Sequence, residues 1–295
     1  MIRNPDDVTE AVLAVMGRTP DPRLREIMVS LVEHLHGFVR DVALTEDEFR
    51  TATTVLNQIG QASTDSHNEA VLMAGSLGVS SLVCLLNNGA SGTTETTQNL
   101  LGPFWRADQP ASADGASIVR SDTPGDPLFV IFELVDPDGV PVAAAEVDVW
   151  HSSPTGLYEN QDPGQADHNL RGRFVSDADG RVRFRTVRPA GYPIPTDGVV
   201  GRLLGAQGRH PFRPAHVHAL AYKPGFKTLI TQIYDEHDPH LETDPQFGVT
   251  AAVLGRFVHH TEAHPGHSEL TDWYSLHHRL VMERGRASMP TPPIR

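Results

Sequence analysis

RPAHVHALAYKPGFKTLITQIY, residues 213–234, holds two runs of β-branched, apolar and aromatic residues, AHVHALAYKPG (215–225) and KTLITQIY (227–234), separated at Pro224-Gly225. Runs of this kind, bounded by turn residues, predict strands. Side chains two apart on a strand share a face. His216 and His218 then stand side by side, with Val217 turned the other way. Such a pair can grip one metal ion or form a polar stripe on a wetted sheet. H-x-H alone does not choose between these.

The same texture extends outward. PLFVIFELV (127–135), AAAEVDVWH (143–151) and GRFVSDADGRVRFRTV (172–187) repeat it, with turn chemistry at PDG (137–139) and ADG (178–180). Short strands divided by such turns predict a mostly β catalytic domain, an antiparallel β-sandwich, over residues 99–295. Residues 1–98 read instead as an all-α region. Leu24, Ile27, Met28, Leu31, Leu35, Phe38 and Val42 recur at three- and four-residue steps and give one apolar stripe. Thr45 with Glu48 and Ser66 with Glu69 match the capping-box pattern, so two further helices are expected to start there. Gly89 is the expected helix stop, and SGTTETTQ (91–98) the linker.

Between Ala70 and Thr94 no charged residue occurs. AVLMAGSLGVSSLVCLL (70–86) is near the minimum span of a bilayer, but it carries glycines and serines and lacks basic or aromatic anchors. It reads as a buried helix and not as a membrane span. At 295 residues, 39% hydrophobic and 21% charged, the composition is that of a globular protein. A net charge of −13 without a dense basic patch argues against nucleic acid. Cys84 is the only cysteine, which excludes an intrachain disulfide and a thiolate cluster. The first residues lack a signal-peptide pattern, and a cytoplasmic location is expected.

If the two histidines hold a metal, other ligands must join them. A two-His, one-carboxylate Fe(II) site and a zinc site are open alternatives, although no H-E-x-x-H is present. A β-sandwich binding module without catalysis is a third. The chain has five tyrosines. Tyr158, in WHSSPTGLY, and Tyr192, in RPAGYPIP, lie in turns leaving predicted strands, where side chains can converge at one end of a sandwich. Tyr222, Tyr234 and Tyr274 read as packing residues with their hydroxyls in water.

GLYENQD, YPIPTDGVVGRLLGAQGRHPFRPAHVH and LLGPFW together resemble the intradiol ring-cleavage dioxygenases that act on catechol and hydroxyquinol. The resemblance covers most of the chain, with the tyrosine, tyrosine and R-P-A-H-x-H motifs in the family's order. It implies one non-haem Fe(III) per chain, held by Tyr158, Tyr192, His216, His218 and a water-derived hydroxide. It implies that an aromatic diol or triol displaces the hydroxide and Tyr192, and that O2 opens the ring to a muconate-type diacid. Arg213 then stabilises negative charge on the activated substrate, and Gln232 is a polar residue near the same pocket.

By the same resemblance the pocket walls come from Leu72, Gly75, Leu100, Gly102, Pro103, Phe104, Ile194 and Pro195. YPIPTDGVVGRLL, RHPFRPAH and LGPFW resemble the hydroxyquinol-cleaving branch, whose product is maleylacetate; catechol and substituted catechols remain alternatives. Gly75 stands where hydroxyquinol enzymes often carry an aspartate, which removes a partner for a third hydroxyl and leaves extra room. The resemblance also implies a homodimer through the N-terminal helices, with a phospholipid in an apolar tunnel at the interface.

Overall fold

Four of the N-terminal helices begin where a short polar side chain takes up backbone donors that the first turn leaves free. The computed structural model of the chain describes residues 2–64, 67–87, 96 and 98–293. Asn4 accepts from the amides of Asp6 and Asp7 at the start of α1 (Pro5–Met16). Asp21 accepts from Leu24 N at 2.7 Å at the start of α2 (Pro22–Asp41). The expected Thr45–Glu48 box opens α3 (Glu46–Ala62): Glu48 N donates to Thr45 Oγ1, and Thr45 N donates to Glu48 Oε2. Asn68 caps α4 (Glu69–Ser76) by accepting from Val71 N at 3.0 Å. Ser66, Gly89 and all of the 91–98 linker except Thr96 and Gln98 lie outside the described residues.

The chain divides into two compact units, Met1–Gln58 and Ile59–Arg295. In the first, Arg40 donates to Pro5 O and Thr9 Oγ1 and so ties α2 to α1. The apolar stripe on α2 exists as expected and stays about half-exposed: Leu24, Ile27, Leu31, Leu35, Phe38 and Val42 are between 47% and 53% exposed. The second unit holds α4 and α5 (Val79–Asn87) together with the sandwich.

The single buried helix expected over 70–86 is corrected to two short ones. Gly78 takes a left-handed backbone (φ +71°), which ends α4, and α5 leaves at 77° to it. After that break Val79, Leu82, Val83 and Leu86 stay exposed. No single helix among the described residues is long and apolar enough to cross a membrane.

One sheet comprises β1 (Pro127–Val135), β4 (Arg181–Val187), β10 (Phe257–His260) and β11 (Trp273–Val281), ordered β10-β11-β1-β4. The other comprises β2 (Glu146–Trp150), β3 (Arg171–Val175), β7 (His216–Tyr222), β8 (Leu229–Asp235) and β9 (Leu254–Gly255), ordered β3-β2-β7-β8-β9. Pairing is antiparallel except for β1 with β11 and β8 with β9, which are parallel. The PDG and ADG turns do form, closed by Gly139 N to Asp136 O and Gly180 N to Asp177 O. Both carry the chain from one sheet to the other. A two-stranded ribbon, β5 (Tyr192–Pro193) with β6 (Phe212–Arg213), flanks α6 (Val199–Ala206).

Period-two alternation on β7 sets the rest. Val217, Ala219 and Ala221 enter the core between the sheets with Phe132, Phe174, Phe184 and Ile233. His216 and His218 therefore project from the opposite face of their sheet. Phe184 is 1% exposed and packs edge-on to Phe132 and stacked on Phe174. Phe184→Ala is expected to cost about 3–5 kcal/mol in urea unfolding.

Candidate metal centre

β7 lies between β2 and β8, with His218 opposite Trp150 on one side and Gln232 on the other; His216 is opposite Tyr234. Side chains two apart on β8 share a face, so Gln232 and Tyr234 flank the histidine pair. The indole of Trp150 stacks on His218 with ring centres 4.6 Å apart. Tyr192 arrives on the ribbon, paired with Arg213. Tyr158 arrives at the start of a 3-10 turn, Glu159–Gln161.

These strands and turns bring four donor atoms to one place. Tyr158 Oη lies 3.3 Å from Tyr192 Oη, and Tyr192 Oη lies 3.4 Å from His216 Nε2. His216 Nε2 and His218 Nε2 are 3.2 Å apart. All four residues are buried. His216 Nδ1 is 2.7 Å from Pro214 O and so carries the proton there, which leaves the lone pair on Nε2. His218 Nδ1 is buried without a partner among the described residues.

Electrostatics keep the imidazoles neutral. Burial, then the Arg213 guanidinium, pulls His216 down to about 3; burial, His216 and Arg213 pull His218 well below its usual value. Burial and the neighbouring Tyr192 push the Tyr158 phenol well up. Two bare imidazole nitrogens and two crowded phenol oxygens suit a small, hard, highly charged cation, which would stabilise both phenolates. Among the described residues no group of three or more His, Cys, Asp or Glu is placed to hold an ion. The two-His, one-carboxylate alternative therefore finds no carboxylate there.

Arg213 is held beside these donors by a buried network. Its Nε and Nη2 donate to the two oxygens of Asp244, each at 3.1 Å, and Nη2 also donates to Tyr234 Oη. Tyr234 donates to Gln232 Oε1 at 2.6 Å, and Gln232 Nε2 donates to Leu100 O at 2.6 Å. Burial alone would depress the guanidinium, but Asp244 and the neighbouring tyrosines outweigh it and keep it charged. Tyr234 corrects the expectation of a hydroxyl in water, since it is fully buried and joins Arg213 to Gln232. Its place two residues after Gln232 on a strand was the signal for that face. Asp244, in a loop remote in sequence, gave none.

The expected wall residues fall into three places. Gly102 has φ +74°, and a Cβ there would stand 3.2 Å from His218 Cε1, so the backbone itself lies against that ring. Phe104 packs on Tyr158 with ring centres 4.4 Å apart. The neighbouring Pro103 is exposed. Arg171, buried behind these, donates to Phe104 O and to Glu159 Oε1, a support that sequence reasoning missed. Leu72 packs against Ile194, Val200 and Leu204, whereas Pro195 is exposed. Gly75 does not leave extra room, because the side-chain amide of Gln246 already fills the space a Cβ would need.

Residues 100–275 match the family model described as Dioxygenase, and residues 21–94 match the Catechol dioxygenase N terminus. The chain is 42% identical to hydroxyquinol 1,2-dioxygenase of Rhizobium sp. (strain MTP-10005), over 93% of this chain and 94% of that one. It is 40% identical to 6-chlorohydroxyquinol 1,2-dioxygenase of Cupriavidus pinatubonensis (strain JMP 134 / LMG 1197), over 87% and 92% respectively. The solved structure of hydroxyquinol 1,2-dioxygenase from Pseudomonas putida DLL-E4 superposes with a TM-score of 0.87 at 35% identity, covering 95% of this chain and 99% of that one.

Burial alone would raise the Asp244 carboxyl, but Arg213 and the amides of Gly248 and Gln246 hold it below the usual range. Its stabilising contribution is present above the unfolded value of about 3.9 and is lost as pH falls through the lower folded value. Asp244→Asn leaves Arg213 buried without its countercharge. It is expected to destabilise the protein by about 3–5 kcal/mol at neutral pH. The gap to the wild type, followed by chemical denaturation, is expected to close below about pH 4.

Proposed function

This chain belongs to the intradiol ring-cleavage dioxygenases, and on that footing we propose that it cleaves hydroxyquinol (benzene-1,2,4-triol) between its two adjacent hydroxylated carbons with O2, giving maleylacetate. Convergence of two phenols and two neutral imidazoles within 3.2–3.4 Å steps carries this reading. Tyr158, Tyr192, His216 and His218 would hold one Fe(III) per chain. When bound, the ferric ion acidifies the diol and accepts electron density from it, which activates the ring toward O2.

The chain's own groups have separate tasks. Tyr192, as a phenolate, would accept one of the diol's two protons at Oη, and the water-derived hydroxide would accept the other, so no further base is needed. Arg213, across the ribbon from Tyr192, directs its guanidinium at negative charge building on the substrate oxygens. Asp244 and Tyr234 position that guanidinium and do not themselves react. Gly102 and Phe104 close the site against water beside His218 and Tyr158. Leu72, Gly75, Leu100, Pro103, Ile194 and Pro195 complete the proposed wall.

The same reading includes a cytoplasmic homodimer joined through the helical region 1–98, with a phospholipid in its apolar seam. The half-exposed stripe of α2 and the exposed valines and leucines of α5 support it. The catalytic region is then 99–295.

Oxygen uptake with hydroxyquinol, catechol and methyl- or chlorocatechols tests the reaction. One O2 is expected per ring, with both atoms of isotopically labelled O2 in the diacid and with hydroxyquinol turned over fastest. Equal or faster turnover of catechol would overturn the substrate assignment. A product cut outside the diol would overturn the reaction.

A further inference from the structure

One face of α4 looks onto two parts of the candidate site. Leu72 packs with Ile194, two residues beyond Tyr192, and Gly75 lies one turn further along the same face. Against Gly75 stands the loop carrying Asp244, the partner of Arg213. From that loop the side chain of Gln246 enters the notch left by the missing Cβ. A Cβ at position 75 would overlap Gln246 Oε1 outright and stand 2.8 Å from Cδ.

Gln246 is 6% exposed, and it is held from several sides. Its Nε2 donates to Ser76 Oγ at 2.8 Å, its main-chain N donates to Asp244 Oδ1 at 3.2 Å, and its carbonyl accepts from Ser81 Oγ at 2.9 Å. Among the described residues, no donor reaches Oε1. The amide is thus fixed by its nitrogen and by the backbone on either side. Its oxygen remains as an acceptor at the position a side chain from residue 75 would otherwise fill.

We propose that Gln246 determines substrate choice by accepting, at Oε1, a hydrogen bond from the third hydroxyl of the substrate, and that Gly75 lacks a side chain so that this amide can enter. The proposal rests on the hydroxyquinol reading above. In that reading the two adjacent hydroxyls would face the four metal donors, and the third, on the far side of the ring, would meet α4 and the Asp244 loop, which reach the site through Ile194 and Arg213. A neutral amide serves there because a carboxylate would place a second negative charge beside Asp244. Catechol, lacking the third hydroxyl, would leave the acceptor desolvated and unpaired. A site built to bond a hydroxyl rejects the analogue without it for that reason.

Two variants attack the contact from opposite sides. Gln246→Met keeps the side-chain length but removes the amide, and Gly75→Ala displaces the amide with a methyl group. In each, the ratio of kcat/KM for hydroxyquinol to that for catechol is expected to fall about tenfold or more. The ratio of their dissociation constants, measured without O2 so that no turnover occurs, should shift the same way. A wild-type enzyme that prefers hydroxyquinol, with both variants keeping that preference, overturns the role of Gln246 alone. A wild-type enzyme without the preference overturns the substrate reading, and this inference with it.

Discussion

Everything at the candidate centre depends on crowding lone pairs where water cannot reach them. His216 Nε2 and His218 Nε2 face each other at 3.2 Å, and two phenol oxygens close the same cluster. Protonating the histidines would relieve that crowding in water, but burial and Arg213 oppose a positive charge there. Ionising Tyr158 is opposed by burial and by Tyr192. A multivalent cation satisfies all four groups together, turning an unfavourable arrangement of donors into a ligand set.

The sandwich supplies the rigidity that this arrangement needs. On β7 the alternate residues Val217, Ala219 and Ala221 are locked into the core, so the histidines cannot turn away without exposing apolar surface. Neighbouring strands add Trp150 behind His218 and Tyr234 opposite His216. Beyond the sheet, support comes from buried ion pairs. Arg171 with Glu159 lies behind Tyr158, and Arg213 with Asp244 lies beside the histidines. Both of these arginines also bond a carbonyl or hydroxyl of the site, Phe104 O and Tyr234 Oη, and so anchor its loops.

What the sequence made legible follows local periodicity. Alternation over 127–135 and 216–222 marks real strands, and it puts His216 and His218 on one face because that geometry depends on neighbours in the chain. Thr45 with Glu48 is likewise a local device, and it caps α3 as read. Tyr158 and Tyr192 stood out at turns leaving predicted strands, but only the family resemblance joined them to the histidines, since no spacing rule links residues on separate turns. Asp244, Gln246 and Arg171 were not legible, because their partners lie far away in sequence. Gly75 shows the limit well: a missing side chain reads as empty space until the Gln246 amide is seen to fill it. Helix 70–86 failed for a smaller reason, the left-handed backbone at Gly78.

The most direct test of the four-donor centre is resonance Raman spectroscopy of the iron-loaded protein, excited within its visible absorption band. Two sets of tyrosinate ring vibrations are expected, one lost in Tyr158→Phe and the other in Tyr192→Phe, with one ferric ion per chain. A colourless protein that opens the ring at full rate, or a spectrum without tyrosinate modes, would contradict the assignment of these residues as the ligands.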